Sequence, residues 1–309
     1  MDPAAVDQIR LNFSPQSLLA LNAVIGLMML GVSLELKLAD FKRILVSPKA
    51  PAIGLGAQFI LLPGFTYLLT LIWRPYPSVA LGMILVAACP GGNLSNIMTY
   101  LARGNAAISV SMTAVSTAAA VFMTPLNLAI WGSLNPATAP ILRRVSLNPV
   151  DVFTTIFLIL GVPLCLGLLL SRFFPALAGK IRKPFKVFSF LVFLAFVGAA
   201  LGANWQIFLH VIGVVVFAVL IHNALALNLG YWSARILGLE TRDVRAVSLE
   251  VGIQNSALAL VLIFDFFDGL GGMAIIAAWW GIWHIIAGLS VALFWSSRPP
   301  ATEMREVPV

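Results

Sequence analysis

The chain has 309 residues, of which 60% are hydrophobic and only 10% charged, and its mean hydropathy is +0.98. An ordinary globular protein carries about 25% charged residues, so there is too little polar surface here to coat a soluble fold. That excludes a soluble enzyme, a secreted disulfide scaffold and a disordered tail. The net charge of +7 comes from 19 Lys and Arg grouped in a few short loops. Such grouping follows the positive-inside rule, and no nucleic-acid motif accompanies it. The composition therefore predicts an all-α polytopic membrane protein. At about 20 apolar residues per span, roughly nine spans use most of the chain.

In chain order, the opening MDPAAVDQIRLNFSP has neither a basic leader nor a small-residue cleavage site and reads as mature sequence. Apolar stretches follow at about Pro15–Leu36, Ala50–Trp73, Pro77–Leu101, Ala106–Trp131 and Val150–Leu170. Four more lie at about Val187–Ala203, Leu209–Leu237, Val244–Phe267 and Gly271–Trp295. Cys89 and Cys165 sit in apolar runs without metal-ligand spacing.

An odd number of spans puts the termini on opposite sides, and charge selects which. With the N-terminus outside, the inner segments hold Lys37, Lys42, Arg43, Lys49, Arg103 and Arg172, the Lys180–Lys186 loop, Arg235, Arg242, Arg245, Arg298 and Arg305. The outer ones hold Arg10, Arg74, Arg143 and Arg144. The bias is 15 to 4. It places the C-terminus in the cytoplasm.

Polar residues at membrane depth are costly and mark function. The third span reads ILVAACPGGNLSNIMTY, where Pro90, Gly91 and Gly92 precede Asn93, Ser95 and Asn96. Proline and glycine both weaken a helix. The eighth reads VSLEVGIQNSALALVLI, with Glu250, Gln254, Asn255 and Ser256 around Gly252. A packing kink alone would also account for the Pro-Gly-Gly run. Glu250 is harder to explain away, because a carboxylate at that depth costs about 2.5–3.5 kcal/mol on insertion scales. Gln254 follows Ser95 by 159 residues, and a shift of about that size carries the first, second and fourth spans onto the sixth, seventh and ninth. The offset of five spans is odd, which predicts an inverted-topology repeat with broken helices at the binding site.

The residues around Glu250 are hard, neutral oxygen donors. They suit an alkali ion rather than zinc or copper, and one carboxylate is too few for tight calcium, so sodium fits. Ser109, Thr113 and Thr117 recur every four residues and share one helix face, with back-bonding to the preceding turn as the plainer reading for Thr117. Gln58 is either helix–helix glue or a ligand. His284 is either an interhelical hydrogen bond or a pocket wall, and His222 with Asn223 is similar. Asp265 reads as a solvated span end.

CPGGNLSNIMTYLARGN together with EVGIQNSALA resembles the signature pair of the bile acid:sodium symporter family. The resemblance runs from about Pro15 to Trp295 and matches the nine-span form. It implies a core domain at about 50–131 and 209–295, holding two crossing unwound helices, beside a panel domain at about 15–36 and 150–203. It also implies two sodium ions. One would be held by Ser95, Asn96, Ser109, Thr113 and Glu250, the other by Gln58, Glu250 and Gln254 with carbonyls near Val251 and Ile253. Substrate would lie near Asn93 and Asn255, with His284 as a further contact. Asn93 stands where some relatives carry Thr, and Ile253 where some carry Met.

Two sodium ions and one glutamate leave about +1 at the site, and helix N-termini add positive partial charge. An organic anion is the expected substrate, whether an acid-conjugated sterol or a small carboxylate or sulfonate. The chain is then expected to be a sodium-coupled symporter working by alternating access, monomeric, among the lipids of the cell's inner membrane and without a nucleic-acid partner. The rivals are an intramembrane enzyme, for which the three His and two Cys supply no motif; a channel, which needs a continuous polar lining; and a proton-coupled transporter with Glu250 as carrier.

Overall fold

A computed structural model describes residues 15–145, 149–203 and 205–300. Expectations resting on Arg10, Arg305 and the opening segment lie outside them. Helices are the regular elements of the described residues, and the one β-type pairing among them is an isolated antiparallel bridge between Gly91 and Gln254. Five helices are long and apolar enough to cross a membrane: Lys49–Trp73, Ala106–Leu134, Val150–Phe173, Val215–Ile236 and Gly271–Ser296.

The chain begins with α1 (Pro15–Ser33), which closes as the Ser33 hydroxyl donates back to the Met29 carbonyl at 2.7 Å. A short α2 (Leu38–Val46) lies in the loop that follows, its start held by the Lys37 N–H donating to the Asp40 carboxylate at 2.8 Å. Next, α3 (Lys49–Trp73) contains a π-turn at Ala57–Leu61 just ahead of Pro63. Proline has no N–H and its ring crowds the carbonyl four residues back, and the wider turn absorbs both faults. The same device recurs in α8 (Pro149–Ile156, continued to Phe173), where a π-turn at Phe157–Gly161 precedes Pro163.

The third expected span is two helices, α4 (Pro77–Ala88) and α5 (Leu94–Leu101). The eighth is likewise two, α11 (Thr241–Gly252) and α12 (Ser256–Phe266). Between them come α6 (Ala106–Leu134), α7 (Ala139–Val145), α9 (Pro175–Ala203) and α10 (Trp205–Ile236), and α13 (Gly271–Ser296) ends the fold. One expectation needs correcting: Lys180–Lys186 is not a loop but the early turns of α9, which starts at Pro175 and runs through Pro184. Hydropathy marks where lipid begins, whereas a helix is set by backbone bonding and can continue into water. Proline suits its first position.

The broken helices form the centre. From Ser78 to Ala88 every residue of α4 is buried, as are Val244–Gly252 of α11 and Ser256–Phe264 of α12. Helix α13 packs along α4, α10 lies along α11, and α1 packs on α8 and α9 while touching α12. Small residues permit these approaches. A Cβ at Gly82 would lie 2.8 Å from the Met273 Cα, and one at Gly230 would lie 2.8 Å from both the Ser248 Cα and the Val247 carbonyl oxygen. At Gly26 a Cβ would meet nothing within 4 Å.

Gly230→Ala is therefore expected to cost about 1–3 kcal/mol of stability, because the backbone of α11 must move. Gly26→Ala should be neutral or stabilising by up to about 1 kcal/mol. Thermal unfolding of the two variants in detergent checks the contrast.

Candidate functional site at the helix crossing

A helix that stops inside the membrane leaves backbone carbonyls without partners. Here both breaks are supplied with donors. At the first, the Ala88 carbonyl accepts from the Thr124 hydroxyl at 2.8 Å, the Cys89 carbonyl from the Gln58 amide at 2.9 Å, and the Pro90 carbonyl from the Asn255 N–H at 2.9 Å. At the second, the Val251 carbonyl accepts from the Gln254 amide at 2.6 Å, the Gly252 carbonyl from the Asn223 amide at 2.7 Å, and the Ile253 carbonyl from the Gly92 N–H at 2.6 Å. The unwound segments thus cross in contact, with Gly91 against Gln254.

Glycine is required at the contact. A Cβ on Gly91 would strike the Glu250 carboxylate, and one on Gly92 would press on the Gln254 carbonyl at 3.1 Å. Without those Cβ atoms, Glu250 (1% exposed) reaches across to α5 and α6. One of its oxygens accepts from the Ser95 hydroxyl at 2.5 Å and the Ser109 hydroxyl at 3.1 Å; the other accepts from Thr113 at 2.7 Å. The Asn96 side-chain carbonyl lies 2.8 Å from the Ser109 hydroxyl and 3.2 Å from that of Thr113. Ser95, Ser109, Thr113 and Glu250, all buried, and the half-buried Asn96 are therefore one group of oxygens.

On the other flank, the Gln58 amide donates to the Gln254 side-chain carbonyl at 2.7 Å as well as to Cys89. Gln58 is thus helix–helix glue, yet its own Oε1 is buried and has no hydrogen-bond partner among the described residues. Through Gln254 the chain of bonds continues to the Val251 carbonyl. The Ile253 carbonyl, engaged by Gly92, retains a second lone pair. Among the described residues no three His, Cys, Asp or Glu come together. The donor set is hard oxygen throughout.

A cavity of about 310 Å³ opens beside the crossing and brings Asn93, Asn255 and His284 together. Among its described lining residues none is Lys, Arg, Asp or Glu, and its apolar walls include Met29, Ile97, Ile253 and Ile285. The two asparagines differ. The Asn255 carbonyl caps α12 by accepting from the Leu258 N–H at 3.1 Å, and its amide lies 3.6 Å from the Met29 sulfur. The Asn93 amide is buried with no partner among the described residues. The His284 Nδ1 is in the same condition, and this side chain lines the cavity. Thr117 also lines the cavity while donating to the Thr113 carbonyl at 2.7 Å, the back-bonding its spacing suggests.

His222 and Asn223 serve the scaffold. His222 lies 2.7 Å from the Thr66 hydroxyl and edge-on to Trp280, and Asn223 holds the second break. Asp265 corrects its sequence reading. It is half-buried and takes the Asn22 amide at 3.1 and 3.2 Å, tying α12 to α1. Sequence reasoning also missed Asn105, which caps α6 and donates to Asp243 at 2.8 Å, and Arg245, which donates to the carbonyls of Ala102 and Arg298 at 2.6 Å. An Asn just before a helical run was a usable signal for the cap; nothing local announced the arginine clamp.

Residues 22–211 match the model of the Sodium Bile acid symporter family. Among similar proteins are the uncharacterized sodium-dependent transporter YocS of Bacillus subtilis, 31% identical over 275 residues, covering 89% of this chain and 82% of that one, and the probable sodium/metabolite cotransporter BASS1, chloroplastic, of Oryza sativa subsp. japonica, 34% identical over 276 residues, covering 89% and 66%. The P3 protein of Homo sapiens is 29% identical over 239 residues, which is 75% of this chain and 47% of that protein. The chain therefore spans most of the Bacillus protein but just under two thirds of the rice one and about half of the human one.

Thr124→Val keeps the shape of the side chain but leaves the Ala88 carbonyl buried without its donor. The expected loss is about 1–3 kcal/mol. Thr154→Val, which removes an exposed hydroxyl that bonds back along its own helix, should change little. Denaturant unfolding in micelles compares them.

Proposed function

The chain belongs to the sodium bile acid symporter family, and from that premise we propose that it is a sodium-coupled secondary symporter of organic anions. One observation carries the reading: a buried carboxylate, Glu250, sits where two broken helices cross and gathers the hydroxyls of Ser95, Ser109 and Thr113. Each of those oxygens has lone pairs left for a cation. One sodium ion is assigned to them with Asn96. A second is assigned to Gln58, Gln254, Glu250 and the carbonyls of Val251 and Ile253; the unpartnered Gln58 Oε1 supports it.

Substrate is assigned to the adjoining cavity. The half-helices α5 and α12 begin there, at Leu94 and Ser256, and helix N-termini carry positive partial charge. With two cations and one carboxylate nearby, an anion is favoured. The apolar walls suit its hydrocarbon part, and the partnerless Asn93 amide offers it a donor. Transport follows alternating access, with the core domain (about 50–131 and 209–295) moving against the panel (about 15–36 and 150–203).

Nine crossings are proposed, each broken pair counting as one, with the N-terminus outside. The inverted repeat gains support from the reciprocal bonds at the crossing, Gly92 N–H to Ile253 and Asn255 N–H to Pro90. They set Gly91 opposite Gln254, a different register from the Ser95-to-Gln254 spacing read in the sequence.

Glu250→Gln keeps the shape and removes the charge. Sodium affinity should fall on the order of 100-fold, since a buried cation loses its counter-charge, and sodium-driven uptake of organic anions into proteoliposomes should stop. Sodium affinity equal to the parent's at fixed pH would remove Glu250 from the mechanism, and a variant that loses pH dependence alone would mean that protons drive transport.

Orientation is tested by labelling intact cells with a membrane-impermeant thiol reagent, in a background where the exposed Cys165 is replaced by Ser. Arg144→Cys is expected to label from outside and Arg182→Cys to be protected. The reverse pattern would invert the topology.

A further inference from the structure

A second cavity, of about 250 Å³, lies away from the crossing where the end of α10, the start of α11 and the end of α13 meet. Its lining includes three arginines, Arg235, Arg245 and Arg298, together with the Thr241 hydroxyl and the rings of Tyr231 and Trp295, and none of its described lining residues is acidic. Two acids lie close in sequence. Asp243 is turned to the Asn105 amide at 2.8 Å, and Glu240 caps α11 as an exposed residue outside the cavity wall.

The cavity is built rather than incidental. Arg245 is buried, 5% exposed, and its guanidinium is fixed by the carbonyls of Ala102 (2.6 Å), Trp295 (3.2 Å) and Arg298 (2.6 Å) while lying over the Trp295 ring at 5.8 Å. Arg298 lies over the Phe294 ring at 4.2 Å. Those anchors hold two of the three cations in place before any ligand arrives. Arg245 spends Nη hydrogens on its three carbonyl partners and contributes charge, while the planar guanidinium forks of Arg235 and Arg298 match the oxygens of a phosphate. Next in sequence to the lining residues Tyr231, Arg235 and Phe294, the side chains of Trp232, Ile236 and Leu293 are exposed. They offer apolar surface on which acyl chains could lie while a headgroup enters the cavity.

We propose that this cavity binds a phosphate group, and that its occupant is the headgroup of an anionic phospholipid. Basic pockets between membrane helices are suited to such headgroups. By joining α10, α11 and α13, the bound phosphate would brace the end of the helix that carries Glu250. The leaflet from which the lipid comes, here the cytoplasmic one, rests on the proposed orientation. The binding itself does not, nor does it rest on sodium coupling.

The test uses the full chain in detergent, with retention of phosphatidylglycerol against phosphatidylcholine measured by native mass spectrometry, and thermal stabilisation by inorganic phosphate measured alongside. Arg245 is left intact because it clamps three chain segments. The variant is the exposed pair R235Q/R298Q; R182Q/K183Q removes as much charge from another helix on the same proposed side. Preference for phosphatidylglycerol should weaken roughly 30-fold in R235Q/R298Q, as expected for two basic contacts, and persist in R182Q/K183Q. Stabilisation by inorganic phosphate that disappears in R235Q/R298Q, without any lipid preference in the parent, would support the phosphate site but give it a soluble occupant. Equal retention and equal stabilisation in the parent and R235Q/R298Q would overturn the site. Equal losses in both charge-removing variants would overturn it too, by reducing the effect to general surface charge.

Discussion

Two helices that stop in the buried centre of an apolar fold and complete each other's backbone bonding are the constraint on which this structure rests. An unpartnered peptide group in a hydrocarbon setting costs several kcal/mol, so neither break is tolerable alone. The solution is reciprocal at its heart, with Gly92 donating to Ile253 and Asn255 to Pro90. It is completed from outside by Gln58 of α3, Thr124 of α6 and Asn223 of α10. Three long helices are thereby bound to the crossing by specific hydrogen bonds rather than by apolar packing alone. That is why the most deeply buried elements, α4, α11 and α12, are also the interrupted ones.

The chemistry follows from the same constraint. Because the segments cross at glycines, the Glu250 carboxylate can leave its own helix and be met by hydroxyls from α5 and α6. One acidic group so joins its own helix α11 to two others. Any event that changes what the carboxylate binds acts on all three at once. Gln58 links structure and chemistry in a similar way: its amide holds the first break while its carbonyl oxygen is left over, buried and oriented by the bonds its nitrogen makes. A residue can be glue and ligand together when its two ends face different tasks. Asn255 is the opposite case, with its carbonyl occupied in capping α12, so its neighbour across the cavity, Asn93, has more hydrogen-bonding capacity to offer.

Beyond the crossing, the polar contacts tie elements far apart in sequence. Asn22 with Asp265 joins α1 to α12 at one end of the molecule, and Asn105 with Asp243 joins α6 to α11 at the other. Arg245 gathers the ends of α5 and α13. The two amide–carboxylate pairs bond side chain to side chain, whereas the Arg245 guanidinium takes carbonyls at helix ends, where groups that a helix would satisfy internally need side-chain partners.

By itself the amino-acid sequence determined what depends on neighbours along the chain. Apolar composition dictated helices, Pro90–Gly92 and Gly252 dictated where two of them stop, and the type of residue flanking those stops dictated a hard-oxygen site around Glu250. The grouping of the Ser95, Ser109 and Thr113 hydroxyls on that glutamate was expected from the family resemblance, since Ser95 lies in the first broken-helix motif while Ser109 and Thr113 share a face of the next helix. Only the tertiary structure decided who serves each broken end, that Asp265 is tied to α1 rather than solvated, that the basic Lys180–Lys186 stretch continues a helix, and that three arginines from separate segments share one cavity. The physical reason is range. Helix formation and breaking are set within a turn or two, whereas an orphan carbonyl or a buried charge takes whichever donor the packing brings within 3 Å, and packing is a property of the whole chain.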